Sequence, residues 1–133
     1  MTISTSRVYR PDPESVGKRE QHHRAVFTAH RDAPLTVTVT VEGEIDASNS
    51  RELAGYVQRH IAGSRHVVID LRLVDFLGTA GFAALHNINV ICSGNEATWV
   101  LQAGRQVRRL LAICDPEGVL PLEKSQALLT PIQ

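Results

Sequence analysis

Residues 67–85 read VVIDLRLVDFLGTAGFAAL, and the fold turns on how this stretch divides. Val67, Val68, Ile69 and Leu71 form the short apolar run expected of a buried parallel strand. Gly78, Thr79 and Gly81 then supply a short loop. From Ala80 to about Ser93 apolar residues recur at helical spacing, with Phe82, Leu85, Ile88 and Cys92 on one side and Gly94 as the stop. A threonine thus stands where a strand gives way to a helix. In α/β folds such junctions gather ligands and modifications, because the strand fixes the loop and the helix start offers unbonded N–H groups.

The flanking sequence extends this alternation. Arg24 to His30 predicts a strand, Asp32-Ala33-Pro34 a turn, and LTVTVTVEGEI a second strand in which Leu35, Val37, Val39 and Val41 alternate with Thr36, Thr38 and Thr40 until Gly43 breaks the ladder. Ser48 onward reads as a helix, with Leu53, Tyr56, Val57 and Ile61 on its stripe, His60 at the edge of the core and Gly63 at the C-cap. After the central stretch come a short strand at 97–102 and a helix at 105–115. Val107, Leu110, Leu111 and Cys114 form that helix's stripe, while Arg105, Arg108 and Arg109 lie off it and read as a solvated face or, alternatively, as part of a docking surface for an acidic partner. Pro121 places the last apolar segment, Gly118 to Leu122, at a sheet edge. The order ββαβαβαβ, with crossover units in its second half, predicts an α/β domain: a small mixed sheet with helices packed against it. It is expected to span residues 24–124, between a flexible N-terminal tail over 1–23 that carries Pro11, Pro13 and Gly17, and a C-terminal tail over 125–133.

Composition narrows the function. The 14 basic and 14 acidic residues cancel, so no net field draws the chain to nucleic acid or an anionic membrane. No apolar run of about 18 residues and no signal-type h-region occur, so a cytoplasmic protein with no membrane partner is expected. His22 and His23 are adjacent with no third ligand near, and neither cysteine has a CxxC partner, so no metal site and no cofactor are expected. Asp70 lies inside its strand without the preceding acidic pair that a Mg²⁺-dependent phosphate receiver needs. No nucleophile–base pair, P-loop or paired carboxylate is present, so the chain is read as a non-enzyme.

Three motifs, Gly43-Glu44-Ile45-Asp46, Val68-Ile69-Asp70-Leu71 and Val74-Asp75-Phe76-Leu77-Gly78-Thr79-Ala80-Gly81, occur in the order and spacing that resemble the STAS domain of bacterial anti-sigma factor antagonists. The resemblance covers about residues 24–124. It implies partner switching: the antagonist binds an anti-sigma factor, itself a serine/threonine kinase of the histidine-kinase-like ATPase fold, and so frees a sigma factor. Phosphorylation by that kinase abolishes binding, and a phosphatase restores it. Matched motif to motif, the phosphoacceptor is Thr79, preceded by Gly78 where the family usually carries Asp. The partner surface it implies comprises Glu44, Asp46, Leu77, Gly78, Ala80, Gly81 and Phe82.

A phosphate on Thr79 adds about −1.5 to −2 charge, which a helix start tolerates and a partner packed flat over the loop does not. The alternative role of Thr79 is a plain N-cap. A second reading of the chain is a STAS adaptor that is never phosphorylated and answers to another partner or to redox state. Cys92 and Cys114, each near the end of a helix that follows a parallel strand, would be its redox pair; otherwise they are two small core hydrophobes.

Overall fold

The computed structural model describes residues 19–123. Its elements are β1 (Glu20–His22), β2 (Ala25–Ala33), β3 (Thr36–Ile45), α1 (Ser50–His60), β4 (His66–Leu77), α2 (Thr79–Gly94), β5 (Thr98–Ala103) and α3 (Arg105–Cys114). They build one five-stranded sheet in the order β1-β2-β3-β4-β5. The first two pairings are antiparallel and the last two parallel, which makes the sheet mixed as expected. The crossovers β3-α1-β4 and β4-α2-β5 step the same way across the sheet, so right-handed connection puts α1 and α2 on one face. There they pack against each other and over the core.

Period-2 alternation explains which side of β3 faces them. Val37, Val39 and Val41 are buried with Phe27, Ile69, Leu71, Leu85 and Leu101, while Thr36, Thr38 and Thr40 stay half-buried on the opposite side. Thr38 and Thr40 share an open hollow there with Thr28, His30, Asp32 and Glu42.

Four expectations need correction. The stretch read as tail ends in structure: Glu20–His22 pair with Phe27 to Ala25 as an edge strand, while residues 1–18 lie outside the described residues, as do 124–133. Gly43 does not end β3. It takes φ +102, where a Cβ would collide with the carbonyl oxygen of Arg24, and the strand runs on to Ile45. β4 does not end near Leu71 but continues to Leu77, leaving Gly78 alone between strand and helix. Gly118 to Leu122 contributes only a bridge, Leu122 to Leu101.

The longer β4 has a local cause. Thr40 pairs with Asp70 but Glu42 with Leu73, and Gly43 pairs with Val74 but Glu44 with Phe76, so β4 holds an extra residue at two places. Each extra residue turns the strand, and burial beyond Leu71 falls on every third residue, Val74 and Leu77, instead of every second. Leu73 and Phe76 are thereby turned to solvent, at 58% and 52% exposure.

Candidate functional site

The site grows from the end of β3 and the end of β4, held together by main-chain bonds. The Gly78 N–H donates to the Ile45 oxygen at 2.9 Å, and the Phe82 N–H to the Gly78 oxygen at 3.1 Å, which starts α2 at Thr79. Gly78 is extended and serves as N-cap without a side-chain bond. Thr79 is therefore the first residue of the helix and exposed, not the cap residue, and its hydroxyl is not the group that starts α2. The first turn carries no acidic side chain.

The expected partner residues divide into floor and surface. Leu77 is 5% exposed, and Gly81 is buried where a Cβ would press into Leu77 Cδ1 and come within 2.9 Å of Ile45 Cγ2. Both belong to the floor, and the closeness that Gly81 permits is that of α2 to the sheet. Glu44 and Asp46 flank Ile45. Glu44 pairs with Arg24 at 3.9 Å. The Asp46 carboxylate accepts from the Ser48 N–H and hydroxyl, and the hydroxyl bond first, then the N–H bond, hold it below the usual carboxylate range. Asp46 thus shapes the entry to α1. Phe82 is half-buried, edge-on to His86 at 4.7 Å between centroids. Ala80 lines a shallow groove of about 220 Å³ between α1 and α2 with Ser50, Arg51, Ala54 and Ala83.

Two features of the surface were not singled out from the sequence. Phe76 lies over Gly78, where a Cβ would come within 3.3 Å of its ring. Its exposure follows from the extra residues in β4, which alternation alone does not reveal. The second feature was legible and overlooked: TAGFAALHNINVICSG, the whole of α2, contains no Asp, Glu, Lys or Arg. Its outward residues are Thr79, Ala83, Asn87, Asn89, Val90, Ser93 and Gly94.

The other sequence candidates resolve into structural roles. Asp70 is 8% exposed and bound by the Arg72 guanidinium at 2.9 and 2.8 Å; burial opposes that pairing, yet its carboxyl lies below the ordinary range. His60 packs against Tyr56 in a tilted arrangement, with ring centroids 4.2 Å apart. Arg108, expected on a solvated face, instead donates to Ala103 O and Glu123 O. Cys92 and Cys114 are free, the first in the core and the second exposed, and burial pushes the Cys92 thiol up to about 11. The two thiols thus stand in different surroundings, one inside the core and one at the surface, and the structure does not join them as a pair. Among the described residues no metal-ligand cluster occurs and no helix is long and apolar enough to cross a membrane.

Known proteins resemble this chain in sequence or in fold. The "Osmosensory protein A" of Mycobacterium tuberculosis (strain H37Rv) is 30% identical over 95 residues, 68% of this chain, which spans 60% of that relative's length. An anti-sigma factor antagonist from Mycobacterium paratuberculosis superposes with a TM-score of 0.63 at 24% identity, covering 81% of this chain and 92% of its own. The anti-sigma factor antagonist SpoIIAA in its unphosphorylated form gives 0.60 at 10% identity, covering 80% and 95%. SpoIIAA, described as a Bacillus cell fate determinant, in its phosphorylated form gives 0.56 at 10% identity, covering 80% and 99%. These solved structures share the fold. The STAS domain model matches residues 27–127, nearly all of the described chain, and the protein belongs to the STAS domain family.

Proposed function

We propose that this STAS domain is an anti-sigma factor antagonist of the cytoplasm. It binds an anti-sigma factor with serine/threonine kinase activity, so releasing a sigma factor, and phosphorylation of Thr79 by that partner switches binding off until a phosphatase removes the group. The observation that carries the reading is the charge-free α2 with an exposed threonine as its first residue. Depletion of charge marks the centre of protein interfaces, and the exposed face of α2 has that composition. A phosphate on Thr79 would be the only charge on that helix. It would meet the free N–H groups of the helix start within the domain, and a partner seated on the face would have to bury it unpaired.

Binding of a kinase-type anti-sigma factor to wild type, Thr79→Ala and Thr79→Glu tests this. Thr79→Ala is expected to bind like wild type and Thr79→Glu at least about tenfold more weakly. Equal binding by Thr79→Glu sinks the charge switch. Incubation with the kinase and ATP, followed by intact mass, is expected to add one phosphate to wild type and none to Thr79→Ala. An unchanged wild-type mass would leave the chain an adaptor that is never phosphorylated.

A further inference from the structure

α3 carries charge where its own stability does not want it. Arg105 is its first residue, Arg109 lies one turn on, both are exposed, and the first turn holds no acidic residue. A helix start is the positive end of the macrodipole, so a cation there opposes the helix. Arg108, between them, is committed inward to Ala103 O at 3.0 Å and Glu123 O at 2.8 Å. Neither Arg105 nor Arg109 enters an ion pair among the described residues.

Beside them runs a strip that is polar at Gln106 and apolar at Leu110 and Ile113. Gln106, Leu110 and Ile113 follow at i, i+4 and i+7, on the flank adjacent to the Arg105–Arg109 row. Gln106 and Leu110 line a hollow of about 180 Å³ together with Phe76 and Asp75. Ile113 is 73% exposed. Phe76, which lines the hollow, also lies over Gly78, the residue before Thr79.

We propose that this strip receives an acidic amphipathic segment of the anti-sigma factor, with one apolar side chain entering the hollow at Phe76 and carboxylates meeting Arg105 and Arg109. The proposal rests on the reading of the Thr79 face as the partner surface and adds the chemistry of what docks beside it. Charge complementarity selects the occupant. An acidic segment gives Arg105 and Arg109 counter-charges, which a neutral segment would not. Asp75, which also lines the hollow, repels carboxylates there, so in this proposal the acidic side chains of the segment lie at Arg105 and Arg109.

The test titrates each purified kinase-type anti-sigma factor of the source organism with wild type, Thr79→Glu, Phe76→Ala and the double variant Arg105→Glu/Arg109→Glu. Affinity is read at two salt concentrations, and the unfolding of each variant is measured alongside. Phe76→Ala is expected to lose about tenfold in affinity. The double variant is expected to lose about a hundredfold and most of the salt dependence. It should also unfold no more easily than wild type, because acid replaces base at a helix start. Binding and stability then move apart, which a purely structural role for these arginines would not produce. If Thr79→Glu fails to bind while Phe76→Ala and the double variant bind like wild type, the docking proposal is overturned and the reading of Thr79 stands. If no kinase-type anti-sigma factor binds the wild-type chain, both fall. A wild-type dimer that Phe76→Ala dissociates, with partner affinity untouched, gives the strip to a second copy and overturns the proposal as well.

Discussion

Asn49 uses its whole amide on backbone groups from separate segments. Its Oδ1 accepts from the Asp46 N–H at 3.0 Å, and its Nδ2 donates to His22 O at 3.0 Å and Glu44 O at 2.9 Å, with the residue fully buried. One side chain thus ties β1, the end of β3 and the entry to α1, which is the ground that Glu44 and Asp46 stand on. Asn49→Asp keeps the acceptor but strands two buried carbonyls beside a new charge, and Asn49→Ala strands all three groups. Each is expected to cost about 2–4 kcal/mol in urea unfolding, and a loss below about 0.5 kcal/mol would refute this role. Sequence could place Asn49 only among N-cap formers, since its partner at His22 is distant in the chain and nothing local announces the pairing. It is the cap residue of α1, yet its side chain makes no capping bond. Thr79 was legible because its neighbours Gly78 and Gly81 punctuate a strand and a helix. Whether it capped or led the helix was not, because that depends on one residue's backbone angles.

β1 shows how an element can escape notice when its stability comes from outside its own sequence. Glu20, Gln21 and His22 have no β-branched or apolar member, so propensity reads them as tail. What holds them is tertiary: Glu20 accepts from Arg59 of α1 at 2.7 and 3.1 Å and pairs with His22 at 2.9 Å, and the His22 ring stacks on Phe27 at 5.3 Å. The hydrogen bonds from Arg59 first, then from His22, lower the Glu20 carboxyl from its ordinary 4.5 to about 2. A carboxyl depressed in the folded state contributes stability that is complete above the unfolded value and lost as pH falls through the folded one. The docking of β1 should therefore weaken between about pH 4.5 and pH 2. Glu20→Gln should lower stability at pH 7 and match wild type near pH 2; hydrogen exchange of the β1–β2 amides and urea unfolding at both values check it. An equal gap at both pH values would show that shape, not charge, docks the strand. β3, by contrast, was readable almost to its last residue, because alternation of valine and threonine is a signal carried by the strand itself. β4 was readable only as far as Leu71, where the extra residues end the alternation.

Across the molecule, α2 and α3 both begin where a parallel strand ends, and neither first turn holds an acid, although acids are what helix starts favour. That common omission gives a prediction about how the switch works. If Thr79 acts by charge presented to a partner, the domain itself should welcome that charge, since a carboxylate in the first turn of α2 meets the positive end of the dipole and unbonded N–H groups. Thr79→Glu should then gain about 0.3–1 kcal/mol, which for a domain of this size raises the melting temperature by up to a few degrees. Gly81 and Leu77 beneath it would keep their packing against Ile45, so the amide spectrum should change only around residues 78–83 and the groove at Ser50 and Arg51. A fall of more than about 5 °C, or shifts that spread through β3 and β4, would mean that the modification works by loosening the floor of the site. In that case Thr79→Glu would weaken every partner alike, and the charge-free face of α2 would lose its explanation as a surface kept ready for one.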